Sequence, residues 1–137
     1  MRVRKARKTD FPHIIDLARR LDLDYPGMEK DRFWVADEDG RIVGIVALKK
    51  RPDCLELCAL GVDPGRRGKG IGKMLVEALV AGAAADVHLA TIIPGFFETC
   101  GFTKAPVAPA CFARRQNTAW CEGCDRRLCN VMVRRVS

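Results

Sequence analysis

A glycine-rich segment joins a strand-like run to a helix-like run halfway along this chain. Residues Arg67–Gly72 read Arg-Gly-Lys-Gly-Ile-Gly, and the next apolar residues have the spacing of one helix face: Ile71, Met74, Leu75, Ala78 and Leu79. The first N–H groups of a helix have no intrahelical partners, and the helix dipole favours an anion beside them. The segment therefore predicts a phosphate-binding loop, with positive charge from three basic side chains: Arg67, Lys69 and Lys73.

Length, composition and charge limit the class of protein. The chain has 137 residues, of which 48% are hydrophobic, which fits a single domain over 1–137 with a substantial core. It has neither an apolar run near membrane-spanning length nor a signal peptide, so we expect a cytoplasmic protein without membrane contact. The net charge of +7 favours an anionic ligand, and a polyphosphate pocket accounts for it better than nucleic acid does. The seven cysteines are then mostly reduced thiols or metal ligands.

Hydrophobic periodicity predicts alternating strands and helices. Strands are expected over 2–6, 33–36, 41–48, 55–62 and 87–92, from Phe102, and over 128–136. Helices are expected over 10–21, from residue 71 to about 80, and over 94–100, while 106–130 is an irregular, cysteine-rich tail. This order indicates an α/β (α+β) fold, in which helices cover both faces of a mixed sheet.

The loop does not fit the two commonest nucleotide-binding motifs. Met74 follows Gly72-Lys73, so the hydroxyl that would bind magnesium in a triphosphate loop is missing. A dinucleotide-binding loop would follow the first strand, whereas this loop follows the fourth.

Two sequence signatures together resemble the GNAT superfamily of acetyl-CoA-dependent N-acetyltransferases. The first is Val62-Asp63-Pro64 followed by Arg67–Gly72, and the second is Phe96-Phe97-Glu98 followed by Gly101-Phe102. The resemblance covers roughly residues 1–105. It implies a mostly antiparallel sheet whose fourth and fifth strands splay apart around acetyl-CoA, the cosubstrate. The backbone of Leu60 and Val62 would bind the pantetheine arm, Phe96 and Phe97 would flank the thioester, and seven residues would provide amides for the pyrophosphate: Arg67, Gly68, Lys69, Gly70, Ile71, Gly72 and Lys73.

Acetyl transfer also needs a base and a stabilised oxyanion. An amine with a pKa near 10.4 is mostly protonated at neutral pH, so a base must remove its proton. By its resemblance to the histone-acetylating branch, Glu56 is the candidate base, and the alternative is a glutamate on a solvent-facing strand. The backbone amide of Leu60 or Gly61 is the candidate oxyanion donor. Phe97 stands where the family often has a tyrosine acid, and the chain's only tyrosine is Tyr25. His88 is interpreted as a core residue.

The cysteine-rich tail resembles that of short acetyltransferases related to N-acetylglutamate synthase. Cysteine is the preferred soft ligand of structural zinc, and four cysteines are candidates: Cys111, Cys121, Cys124 and Cys129. Packed reduced thiols are the favoured alternative. Cys58 occupies the place of an arginine expected in these relatives, so glutamate is not assigned as the acceptor.

The sequence therefore predicts transfer of acetyl from acetyl-CoA to a primary amine of a small molecule, an amino acid or a peptide N-terminus. The alternative is a catalytically weak, GNAT-like binding module whose basic, cysteine-rich tail contacts nucleic acid or protein. A homodimer is left open.

Overall fold

The computed structural model of the chain describes residues 1–107, 109 and 130–135. In chain order its elements are β1 (Arg2–Lys5), α1 (Phe11–Arg20), β2 (Arg32–Glu38), β3 (Arg41–Lys50), β4 (Leu55–Val62), α2 (Ile71–Ala81), β5 (Val87–Thr91), α3 (Pro94–Thr99), β6 (Thr103–Lys104) and β7 (Asn130–Arg134). Short 3-10 turns precede α1, β2 and α2. The mixed α/β fold with a mostly antiparallel strand pattern is confirmed.

The described residues form two compact units. Unit 1 comprises Met1–Lys49 with Leu57–Gly82, and unit 2 comprises Lys50–Glu56 with the described residues from Ala83 onward. In the part of the chain that the structure describes, no helix is long and apolar enough to cross a bilayer.

In unit 1 the strands are arranged in the order β1-β2-β3-β4. The pairs β1–β2 and β2–β3 are antiparallel, and the β2–β3 register shifts between Ala36 and Asp37. Asp39 and Gly40 connect β2 to β3 with φ values of +51° and +87°. Two successive residues with positive φ make a tight turn whose twist matches a hairpin, which explains the Asp-Gly sequence there.

The two long helices pack on opposite faces of the unit 1 sheet. Ile14, Leu17 and Ala18 of α1 join a buried cluster with Phe33 and Val35 of β2. Side chains alternate along a strand, so the neighbouring positions of β2 and β3 face the other way. There a Cβ added to Gly44 would lie 2.9 Å from Leu75 and 3.3 Å from Ile71. Gly44 therefore lets α2 pack directly on β3.

In unit 2 the start of β4 pairs in parallel with β5, joining Leu55 to Val87 and Glu56 to His88. The strand β7 pairs antiparallel with both β5 and β6. It spans Asn130–Arg134, inside the predicted range 128–136. Arg134 fixes α3 to this sheet, because its Nη1 donates to the carbonyl of Cys100 at 2.7 Å.

Candidate active site

The loop between β4 and α2 begins with a capped turn. Pro64–Arg66 forms one 3-10 turn, and the Asp63 carboxylate caps it by accepting from the Gly65 amide at 3.0 Å. The Asp63 amide donates to the Val43 carbonyl at 2.7 Å, which fixes the end of β4 against β3. The turn is therefore tied to the sheet of unit 1 before the glycine-rich segment starts.

The glycine-rich segment leaves the start of α2 open to an anion. Gly68 and Gly70 have φ values of +80° and +76°, which glycine adopts without strain. Gly70 is the N-cap of α2, and no side chain caps the helix there. Met74 donates to the Gly70 carbonyl, so the amides of Ile71–Lys73 precede the first intrahelical bond. Three peptide donors and the helix dipole converge on this point.

The basic side chains of the loop differ in what they contact. Lys69 and Lys73 are exposed. The Nε of Arg67 donates to the Val62 carbonyl at 3.3 Å, so this side chain lies back along the end of β4. The side chain of Ile71 is buried, which leaves only its backbone for a ligand. The predicted loop residues thus lie together at one helix N-terminus, which fits a phosphate group.

The strand β4 contains a residue with left-handed backbone geometry, which was not predicted from the sequence. Ala59 has a φ of +51° and is 4% exposed, whereas a strand residue normally has a strongly negative φ. A residue of this kind interrupts the regular strand geometry and changes the direction of the neighbouring peptide groups, which here belong to Leu60. The sequence did contain one indication of this irregularity. Glycine inside a strand often marks a departure from regular geometry, and Gly61 lies two residues after Ala59.

Gly61 itself is required for packing. A Cβ at this position would lie 2.5 Å from Leu23 and 2.8 Å from Leu21. The loop after α1 therefore comes within contact distance of the β4 backbone. Leu60 and Val62, on either side, are half-buried.

Glu56 is buried and lies in an ion pair, not on a solvent-facing strand. Its side chain is 1% exposed, and Oε1 accepts from the Nε of Arg51 at 2.9 Å. Its ladder partner, His88, is half-buried, and burial is the main cause that lowers the pKa of this imidazole. Arg51 lies in the irregular β3–β4 connection, where no local sequence pattern marks it as the partner of Glu56.

Phe96 and Phe97 contribute differently to α3. Phe97 is 5% exposed and makes edge-on contacts with Phe96 and Phe102, with centroid distances of 5.0 and 5.8 Å. It is thus a core residue of unit 2. Phe96 is half-buried and retains a surface for contact.

Tyr25 lies in a polar cluster of unit 1 together with Asp31, Cys58 and Lys49. Its hydroxyl donates to Asp31 Oδ2 at 2.6 Å and lies 3.8 Å from the Cys58 sulfur. The Lys49 ammonium lies 4.6 Å from the ring centroid. Burial above all raises the pKa of Tyr25 well beyond its usual range, so the phenol keeps its proton at neutral pH.

Four cysteines are the candidate metal ligands. Cys111, Cys121, Cys124 and Cys129 lie outside the described residues. Within the described ranges, no group of three or more His, Cys, Asp or Glu side chains is arranged to hold a metal ion.

Comparison of this chain with known proteins identifies a matching family and several relatives. Residues 29–104 match the family model of the acetyltransferase (GNAT) domain. The N-acetylaspartate synthetase of Xenopus tropicalis is 33% identical over 124 residues, covering 78% of this chain and 45% of that protein.

Two solved structures of N-acetylglutamate synthase from Neisseria gonorrhoeae are also similar. The complex with coenzyme A and N-acetyl-glutamate has a TM-score of 0.76 at 23% identity, covering 99% of this chain and 35% of that one. The complex with coenzyme A and L-arginine has a TM-score of 0.73 at 26% identity, covering 98% and 33%. The chain therefore spans less than half the length of each of these relatives.

Proposed function

The chain belongs to the GNAT acetyltransferase family, and from this premise we propose that it transfers an acetyl group from acetyl-CoA to the amine of an amino acid. The observation that carries the proposal is the uncapped N-terminus of α2, where Gly68 and Gly70 hold the chain at positive φ beside exposed lysines. Peptide amides at a helix start are the groups that bind a pyrophosphate.

The predicted residues of the loop and of β4 have distinct roles in this proposal. The amides of Ile71–Lys73 bind the pyrophosphate, and Lys69 and Lys73 neutralise its charge. The backbone of Leu60 and Val62 binds the pantetheine arm. Acetyl-CoA supplies the acetyl group as an activated thioester.

The chemistry requires one proton to be removed and one to be added. Glu56 accepts the proton of the acceptor ammonium, so that the nitrogen lone pair can form the new C–N bond as the C–S bond breaks. The Leu60 amide donates to the carbonyl oxygen while negative charge develops on it. The leaving thiolate takes up a proton, and the raised pKa of Tyr25 makes that phenol a poor source. Solvent is the simplest source.

The choice of an amino acid as acceptor is supported by the relatives. Their names describe synthesis of N-acetylaspartate and N-acetylglutamate, both of which are acetylated amino acids. The net charge of +7 also favours anionic ligands over cationic ones. We therefore expect acidic amino acids to be better acceptors than lysine or polyamines.

The test is thiol release from acetyl-CoA against a panel of aspartate, glutamate, neutral amino acids, lysine and an N-terminally free peptide. The expected result is release that depends on an amino acid acceptor, with acetylated product found by mass spectrometry. If no acetylated product forms, calorimetric measurement of coenzyme A binding distinguishes loss of catalysis from loss of the cofactor site. Binding without turnover supports the catalytically weak binding module, and absence of binding overturns the site assignment.

A further inference from the structure

Two carboxylates contact the turn that leads into the glycine-rich loop. The first is Asp63, whose Oδ1 caps the Gly65 amide and whose Oδ2 lies 3.2 Å from Nη2 of Arg41. The second is Glu38, at the end of β2, which pairs with Arg66. All of these groups belong to unit 1.

The Glu38–Arg66 pair has the geometry of a fork. The Nε of Arg66 lies 3.0 Å from Oε1 and 2.9 Å from Oε2 of Glu38, and its Nη2 lies 2.6 Å from Oε1. The side chain of Arg66 is 33% exposed and that of Glu38 is 30% exposed. The hydrogen bond from Arg66 is the main cause that lowers the pKa of Glu38, so the carboxylate stays ionised at neutral pH. A forked ion pair fixes the relative orientation of the two side chains as well as the distance between them.

Arg66 directly precedes Arg67 in the sequence, but the guanidinium of Arg66 is directed to Glu38 at the end of β2. The Arg66 amide also donates to the Asp63 carbonyl at 2.8 Å, so both its backbone and its side chain restrain the turn. The restrained residue is only two positions before Gly68.

We propose that Glu38 and Arg66 are positioning residues: their ion pair holds the glycine-rich loop in its anion-binding conformation, and Arg66 does not itself bind phosphate. This inference rests on the proposed function. Solvent-accessible ion pairs add little to global stability, so the effect of this half-buried pair should appear mainly in ligand binding and only weakly in the melting temperature. A loop that is already ordered binds its ligand without the entropy cost of ordering.

A double-mutant cycle tests the pair directly. Glu38→Gln, Arg66→Met and the double variant are compared with the unaltered protein for coenzyme A affinity by calorimetry. Each single change is expected to weaken binding about five- to tenfold, and the double change no more than either single one, because all three remove the same constraint. In steady-state kinetics the KM for acetyl-CoA should rise while kcat is unchanged. Glu29→Gln, which removes an exposed carboxylate elsewhere in unit 1, is the charge control.

A second readout does not depend on catalysis. Amide hydrogen exchange at Gly68–Gly72 in the free protein should accelerate in Glu38→Gln and Arg66→Met but not in Glu29→Gln. If Arg66→Met weakens binding and Glu38→Gln does not, Arg66 is a phosphate ligand and the inference is wrong. It is equally wrong if neither change alters exchange. A protein that does not bind coenzyme A refutes the proposed function, while the exchange data still decide whether the pair orders the loop.

Discussion

The charge at the N-terminus of α2 can be tested with two nearly isosteric substitutions, Gly70→Asn and Gly70→Asp. Gly70 has a φ of +76°, and a Cβ built there meets no atom within 4 Å. Asn and Asp are the non-glycine residues that tolerate this conformation best. The two variants therefore share the backbone cost and the added bulk, and they differ by one negative charge.

The size of the difference follows from Coulomb's law. Two unit charges about 4 Å apart interact by about 1 kcal/mol in water and about 4 kcal/mol in the effective dielectric of a protein surface. Because the loop is exposed, the repulsion between Asp and a pyrophosphate should lie toward the lower value. We expect Gly70→Asp to bind coenzyme A between about fivefold and several hundredfold more weakly than Gly70→Asn.

Calorimetric titration with coenzyme A at low and at high salt measures this difference. The difference between the two variants should shrink at high salt, because exposed charges are screened. Gly27→Asn is the matched control, since Gly27 has a φ of +79° and equally open space. It should lower the melting temperature without changing the affinity. Equal affinities of Gly70→Asn and Gly70→Asp would show that no phosphate lies at this helix start.

Three further substitutions test other parts of the structure. Glu56→Gln should lower kcat about 10²-fold or more with coenzyme A affinity unchanged, and the pH–rate profile should lose its acidic limb; unchanged turnover would exclude Glu56 as the base. Gly61→Ala should lower the free energy of unfolding by about 1–3 kcal/mol in urea titrations, because the added methyl overlaps Leu21 and Leu23. The hydrogen bond from Arg4 is the main cause that lowers the pKa of Asp10 from 3.8 to about 2. Because the pKa of Asp10 is lower in the folded chain than in the unfolded chain, the ionised carboxylate stabilises the fold above about pH 4. This stability is lost as the pH falls from about 4 to 2. Asp10→Asn should be less stable at neutral pH and should lack this dependence; an unchanged pH–stability curve would contradict the assignment.

Local patterns predicted the elements that make up the site. The strand β4 was predicted at its observed bounds, Leu55–Val62, because apolar residues fill it and Asp63-Pro64 ends it. The helix α2 was predicted from helical spacing around and after the glycine run, although its first turn, from Ile71, overlaps the predicted loop. Such features depend on neighbouring residues, so a single sequence contains them.

Contacts between distant residues could not be predicted in this way. Glu38 and Arg66 are 28 residues apart, and nothing in either segment marks the other as its partner. Arg51 was missed as the partner of Glu56 because it lies in an irregular connection. The side chain of Asp10, just before α1, accepts from the Arg7 amide and pairs with Arg4, which no local pattern indicated. Short polar side chains have several donors within reach, and the tertiary fold selects among them.

The left-handed residue inside β4 also limits how this position can vary. In the described part of the chain, three non-glycine residues have positive φ, and two of them are aspartates, Asp22 and Asp39. Ala59 is the buried one, so its backbone favours Gly or Asn while its apolar surroundings favour a hydrocarbon side chain. Alanine is the smallest residue that partly satisfies both demands. We therefore expect the set of tolerated replacements at Ala59 to be much narrower than its small, chemically plain side chain suggests, with glycine the first acceptable alternative.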